Sequence, residues 1–336
     1  MKGVFCMTNR ERFQKLLGRG SGLDRTPVVE WASWWHLTLQ RWQEEGLPEG
    51  LEPEDGINDY FDQDRLHQFW ITPKSDGIPV PAGHGGGLLA NEEDYETLRP
   101  FLYTDQQLTT LEKNIKAHLQ AHRGDDYVYW FTLEGFFWFP RTLFGIEKHL
   151  YAFYDYPELM QRINQDLADF HLRTLEVVYS LIDPAFMTFA EDMSYNHGPM
   201  LSKELYDTFM APYYRQVIPV IRGQGTRVLI DTDGFVEPLI PWFLEAGIEG
   251  ILPLERMAGV DVNRIRENFP ELLMIGGFDK TVMHKGEAAM RAEFERILPA
   301  IRSGGYIPSV DHQTPPDVSL DTYRLFMRLL REYCQK

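Results

Sequence analysis

Short, nearly unbroken apolar runs alternate with amphipathic stretches through the second half of the chain. Ala185–Ala190, Arg227–Ile230, Gly250–Leu254, Leu272–Ile275 and Tyr306–Ser309 have the length and residue types of buried strands. Helical spacing follows each run: from near Ser202, with Glu204 in the first turn, then over Val236–Ala246, Val262–Asn268, Gly286–Arg302 and Ser319–Tyr333. Strand–helix alternation with apolar strands predicts a parallel sheet covered on both faces. The units repeat at roughly thirty residues and none carries the dinucleotide fingerprint G-x-G-x-x-G, which favours closure into a (β/α)8 TIM-type barrel over an open sheet. The first half follows the same plan less clearly. Asn9–Leu17 predicts a helix, an N-terminal extension, with Thr8 or Asn9 as its cap. Pro27–Trp31 predicts a first strand, Tyr127–Leu133 another, and Pro157–Leu181 a long helix. Between these, Leu51–Ala90 is rich in Gly, Pro and Asp and reads as an irregular insertion or lid.

The 336 residues allow two domains, but no linker divides them, so a single barrel domain over the whole chain is expected. Hydrophobic residues make up 43% and charged residues 25%, an ordinary globular composition. With 33 Lys and Arg against 50 Asp and Glu, the net charge is -17, which argues against nucleic-acid and anionic-membrane partners. No apolar run is long enough to span a bilayer, and the early charges after Met1 do not suit a signal peptide. A cytoplasmic location is expected. The two cysteines, Cys6 and Cys334, lie too far apart for a thiolate metal site and read as free terminal thiols.

Chemistry concentrates just after the predicted strands. Glu30, Glu134, Glu191 with Asp192, Asp231 with Asp233, Glu255, Asp279, and Asp311 with His312 all occupy such positions. Barrel enzymes gather these positions at one mouth, and carboxylates crowded there hold protons or a cation. The pattern therefore asks for a metal ion, a cationic substrate or protonated acids. Taken singly, Asp231-x-Asp233-Gly is also a turn with a helix cap, Glu191-Asp192 a cap, and Glu255-Arg256 an ion pair. His118 and His122 share a helical spacing without an HExxH motif and read as a solvated face; His84-Gly85-Gly86-Gly87 reads as a flexible loop, and Gly276-Gly277 as tight packing. Trp31, Trp34, Trp35 and Trp138 are core by default, or pocket wall if seated at the mouth.

Several motifs together resemble one superfamily. They are Met7-Thr-Asn-Arg-Glu-Arg-Phe13, Asp24-Arg-Thr-Pro-Val28, Glu191-Asp192, Gly198–Ser202, Asp231–Gly234, Ile275-Gly276-Gly277 and Gly304–Pro308. The chain resembles a divergent member of the uroporphyrinogen decarboxylase superfamily, which includes the cobamide-dependent methyltransferases. The resemblance implies a distorted barrel with a deep pocket at the C-terminal face, and members are often homodimers. True decarboxylases carry an arginine-rich loop where this chain has Glu30–His36, with no arginine; their Phe-Ser-Asp segment is missing, their active-site tyrosine falls at Arg141, and their late histidine matches His312. The zinc methyltransferases' His-x-Cys turn falls on Asp231-x-Asp233, and their late cysteine on His312.

The resemblance thus implies a metal-assisted, corrinoid-linked methyltransferase acting on a small O- or N-methyl compound. Its expected metal ligands are Asp231, Asp233 and His312, with zinc first and manganese, iron or magnesium also compatible. Glu191 or Asp192 is the expected proton donor. Glu30, Trp34, Trp35, Glu134, Trp138, Glu255 and Asp279 are the expected substrate-binding residues, and a corrinoid protein the expected partner. A decarboxylase using His312 and Arg141 is the alternative; a non-catalytic ligand-binding member is the second.

Overall fold

A computed structural model describes residues 7–52, 55–83 and 85–335; Cys6 and His84 lie outside them. Its sheet has seven parallel strands in sequence order: β1 Leu66–Ile71, β2 Val128–Glu134, β3 Phe186–Ala190, β4 Arg227–Asp231, β5 Gly250–Leu252, β6 Leu273–Phe278 and β7 Tyr306–Val310. Helices follow the strands, the longest being Pro157–Tyr179, and the whole is a TIM-type α/β fold.

Pro27–Trp31, expected as a strand, takes the place of the eighth stave without forming a ladder. Its carbonyl at Val28 accepts from Asp64 N at 2.8 Å, while Val28 N and Glu30 N donate to the side chains of Asp64 and Gln63 at 2.9 and 2.7 Å. On the opposite edge, Trp31 Nε1 donates to Val310 O at 2.8 Å and Ser309 Oγ to Glu30 Oε1 at 2.8 Å. Side chains thus bridge β1 and β7 through this segment, and Pro27, lacking an N–H, could not join a ladder fully.

Strand β1 falls inside the stretch expected to be an irregular insertion. Its sequence, LHQFWI, lacks the apolar continuity of the others because its polar residues face two different polar environments, described below.

Inward-facing residues make the lower barrel dry. Trp130, Phe186, Leu229, Leu252, Ile275 and Ile307 belong to one buried cluster, with Phe13, Leu16 and Leu17 of the first helix (Asn9–Leu17) packed on it. That helix starts at a capping box between Thr8 and Glu11 and seals the N-terminal end of the strands. The opening motifs serve this seal. Arg12 Nε and Nη2 both donate to Asp24 at 2.9 Å, holding that carboxyl well below its usual range, and Arg25 pairs with Asp64 beside the Val28 segment. Above the apolar layers comes a polar one: Gln68 Nε2 donates to Thr132 Oγ1 at 2.7 Å, and Thr132 and Thr188 hydroxyls are bonded at 2.7 Å.

Gly276-Gly277 is a packing device, as expected. A Cβ at Gly276, where φ is 102°, would lie 2.2 Å from the Pro253 carbonyl oxygen. The glycines after His84 are not a free loop: Ile146 N donates to Gly85 O at 3.0 Å and Leu88 N to Leu143 O at 2.6 Å. Cys334 is a free thiol but buried, against Pro27 O. Among the described residues, no helix is long and apolar enough to cross a membrane.

Candidate functional site

A cavity of about 440 Å³ opens at the C-terminal end of the strands. Trp31, Trp70, Trp130 and Trp138 line it together with Gln68, Asp192, Asp231, Asp233 and His312. No lysine or arginine is among the lining residues. Each side chain is placed by its strand: Gln68 and Trp70 alternate on the inner face of β1, Trp130 faces inward from β2, and Asp231 is the last residue of β4.

Asp192, Asp231 and Asp233 crowd the cavity floor and rim, with Glu191 also in the lining. Asp231 is enclosed by protein except toward the cavity, and burial drives its carboxyl well above the usual carboxylate range, with Asp192 and Asp233 repelling its charge further. Asp192 is pushed up to about 6, mainly by burial and then by Asp233. Its backbone sits at φ 43°, a left-handed conformation that aspartate tolerates better than most residues. Burial first, and then the neighbouring Asp192 and Asp233, thus favour the protonated form of the Asp231 carboxyl.

The rim holds a second arrangement. Asp233, Glu255 and His312 each offer a donor atom, and these atoms lie within 4.8 Å of one another. His312 Nε2 is 3.5 Å from Asp233 Oδ2, and this hydrogen bond raises the imidazole's proton affinity. Glu255 Oε2 accepts from Gly234 N at 2.8 Å, which draws it from β5 toward the turn after β4. One imidazole and two carboxylates suit zinc, manganese or iron, and an arrangement this close can shrink onto an ion without rebuilding the backbone. Asp233 and His312 were expected together. The third member is Glu255, not Asp231, because Asp231 ends the strand pointing inward while Asp233 sits on the turn above it.

The family model for uroporphyrinogen decarboxylase matches residues 140–333. The chain belongs to that family. Among solved structures, a methyltransferase from Methanosarcina mazei is similar at 13% identity and a TM-score of 0.68, over 97% of this chain and 99% of that one. A protein described as a putative vitamin-B12 independent methionine synthase from Listeria monocytogenes matches at 13% identity, with a TM-score of 0.47, over 93% and 99%. No curated protein sequence matches the chain. The likeness to the Methanosarcina mazei structure agrees with the barrel fold.

Within this family fold, several residues expected at the site have other work. Glu191 is a helix cap. Its Oε1 accepts from Phe136 N at 2.8 Å and its Oε2 from Phe137 N and Trp138 N at 2.8 and 3.0 Å, with the Tyr214 hydroxyl a fourth donor. Burial pushes it up to about 7 against these four donors, which favour the anion. With both oxygens engaged it is badly placed to donate a proton to a substrate. Gly135 exists for this cap, since a Cβ there would lie 2.0 Å from the Glu191 carboxyl carbon. Glu191→Gln turns an amide N–H toward these donors and is expected to cost about 2–3 kcal/mol in chemical denaturation; an unchanged midpoint would show that the cap contributes nothing.

Glu30 is buried beside the Ser309 and Tyr323 hydroxyls, at 2.8 and 3.2 Å, and lines a void of only about 20 Å³. Trp34 lies in the core against Trp42, Phe61 and Tyr323. Trp35 is 43% exposed, its indole bonded to Gln313 at the rim. Glu134 is not among the lining residues and pairs with Lys74 at 3.0 Å. Asp279 caps the 3-10 turn Lys280–Lys285 through Thr281 N at 2.9 Å. Asp311 is buried, accepting from Arg256 N and Lys280 N at 3.0 and 3.2 Å. Arg141 stands behind the wall, 5.4 Å from the Trp138 ring, and donates to the Asp192 carbonyl at 3.1 Å. It positions Asp192 and does not line the cavity. Gln68, Trp70 and Trp130 are wall residues that the sequence did not single out. The alternation of Leu66, Gln68 and Trp70 was the available signal.

Proposed function

We propose that this member of the uroporphyrinogen decarboxylase family is a metal-assisted, corrinoid-linked methyltransferase that demethylates a small O-methyl compound. The observation that carries this is the Asp231 carboxyl, enclosed on the floor of a tryptophan-lined cavity where burial favours its protonated form, beside a ligand-capable Asp233–Glu255–His312 group. The walls offer four indole faces to an apolar or aromatic group. Asp231 delivers a proton to the oxygen being uncovered, so that it leaves as a hydroxyl and not as an anion. Asp192 keeps that proton on Asp231 by like-charge repulsion, and Arg141 fixes the backbone that carries Asp192. A divalent metal, zinc by first preference, held by Asp233, Glu255 and His312 would supply Lewis acidity to the same oxygen. A corrinoid carried by a partner protein would supply the Co(I) nucleophile that accepts the methyl group as the carbon–oxygen bond breaks.

An N-methyl compound remains compatible with the acidic cavity, but a quaternary ammonium leaves as a neutral amine and has no need of an acid. Decarboxylation of a polycarboxylate fits poorly, because every ionisable lining group except His312 is acidic. The test is methyl transfer from a panel of small methyl ethers to free cob(I)alamin, followed by its spectral change, on the metal-loaded chain. Activity on an ether is expected, and His312→Ala should lose at least tenfold in metal affinity together with activity. Unchanged metal content in His312→Ala would remove the rim as the metal site. Carbon dioxide released from uroporphyrinogen, with no methyl transfer, would overturn the reaction class.

A further inference from the structure

A second group of imidazoles lies on the outer face of the barrel, away from the cavity. Strand β1 sends Gln68 and Trp70 inward, so His67 and Phe69 face out, toward the helix Asp105–Ala121. His118 lies in the last turn of that helix and His122 is its C-terminal cap, an i, i+4 pair. Asp55 opens the short helix Asp55–Tyr60. The three segments meet at one carboxylate: Asp55 Oδ2 lies 3.2 Å from His67 Nδ1, 3.8 Å from His118 Nδ1 and 3.9 Å from His122 Nε2.

The group is not the solvated face that its helical spacing predicts. His118 has a side-chain exposure of only 10%, and its Nε2 is buried with no hydrogen-bond partner. The nitrogen turned toward Asp55 is Nδ1, at 3.8 Å and so beyond hydrogen-bond distance, which leaves a gap between the two donors. The donor atoms of Asp55, His118 and His122 lie within 4.8 Å of one another. Zinc bonds of ~2.0–2.1 Å place tetrahedral donors roughly 3.3–3.4 Å apart, so the Asp55–His118 and Asp55–His122 pairs, at 3.8 and 3.9 Å, need to close by about half an ångström. Its outer partners are already present. Asp125 Oδ2 sits 3.4 Å from His122 Nδ1, which leaves Nε2 for a ligand, and Arg65 in turn holds Asp125 at 2.9 Å. His67 is bonded to Asp55 and stacked on His118 at 3.6 Å between centroids, which orients both.

We propose that Asp55, His118 and His122 form a structural divalent-metal site, with zinc the ion that two imidazoles and one carboxylate fit. It clips the Asp55 helix and the end of the Asp105–Ala121 helix across the back of β1, the strand whose other face carries Gln68 and Trp70. The proposal is independent of the reading of the cavity.

The experiment uses the metal-stripped chain carrying Asp233→Asn and His312→Ala, which disables the rim, titrated with Zn²⁺ alone. One equivalent should bind, and adding His118→Gln with His122→Gln should weaken binding at least tenfold. Zn²⁺ should also shift the ring ¹⁵N signals of His118 and His122 in the rim-disabled chain, a readout that needs no substitution in the new site. Failure of the rim-disabled chain to take up Zn²⁺ would overturn the proposal. So would uptake that ignores the histidine substitutions, or ring signals that stay in place.

Discussion

Asp231→Asn is expected to lower methyl transfer by about 10²–10³-fold while leaving the metal content unchanged. The two readouts separate two roles for one residue. The family resemblance implies Asp231 as a metal ligand, whereas the donor atoms that lie together are those of Asp233, Glu255 and His312, and in the proposed mechanism Asp231 is the acid. Asparagine matches the carboxyl in shape but has no proton of comparable acidity to give, so the loss should fall on kcat. Metal lost along with activity would return Asp231 to the ligand set and remove the acid. The pH profile adds a signed test. Activity should fall as pH rises through the raised value of Asp231, because the acid is then spent. Burial is the main cause of that rise and the Asp192 charge the second. Asp192→Asn removes the second cause, so the alkaline limb should move to lower pH. A limb that stays fixed would mean that the two carboxyls do not communicate.

The second half of the barrel was legible because its strands are buried on both faces and so read as apolar runs. The helix starts were legible where a side chain caps them, as at Thr8, Ser202 and Ser319. Strand β1 was hidden because each of its faces meets something polar: the Gln68–Thr132–Thr188 row inside and the His67–Asp55 pair outside. With β1 went Gln68 and Trp70, and with Trp70 one of the cavity's four wall tryptophans. The acidic strand ends were visible, but whether each faces the cavity depends on one-residue steps along a strand or turn. Asp192 and Glu191 are adjacent and both border the cavity, yet Asp192 has its carboxyl near Asp233 while that of Glu191 is taken up in capping Trp138–Phe144. Asp279 and Glu134 likewise look like their neighbours in sequence and are claimed by Thr281 and Lys74. Local capping and ion pairing decide these cases, and neither leaves a periodic signal.

Glu30→Gln is expected to stabilise the chain by about 4 kcal/mol near pH 8 and to change little near pH 4. Glu30 is 7% exposed, and burial pushes its carboxyl from the ordinary 4.5 to about 8, with the Ser309 and Tyr323 hydroxyls only partly offsetting the loss of water. The folded chain therefore holds a proton that the unfolded chain releases above about pH 4.5. Between those two values the native state binds more protons than the unfolded one, so stability falls as pH rises and levels off above about 8. Glutamine keeps the shape and the neutral charge of the protonated acid, and so removes this slope. Asp231, Glu191, Asp192 and Asp311 have raised values too. Part of the wild-type slope should thus survive in the variant, and the difference between the two chains isolates Glu30. Chemical denaturation at several pH values between 4 and 9 measures it. Parallel curves for the two chains would mean that Glu30 ionises at its ordinary value, and that the seam between the Pro27–Trp31 segment and β7 admits water. A gap that opens with pH would instead mark Glu30 as a neutral hydrogen-bonding group joining that segment to Ser309 and Tyr323, which closes the barrel beside the cavity without adding a further charge to it.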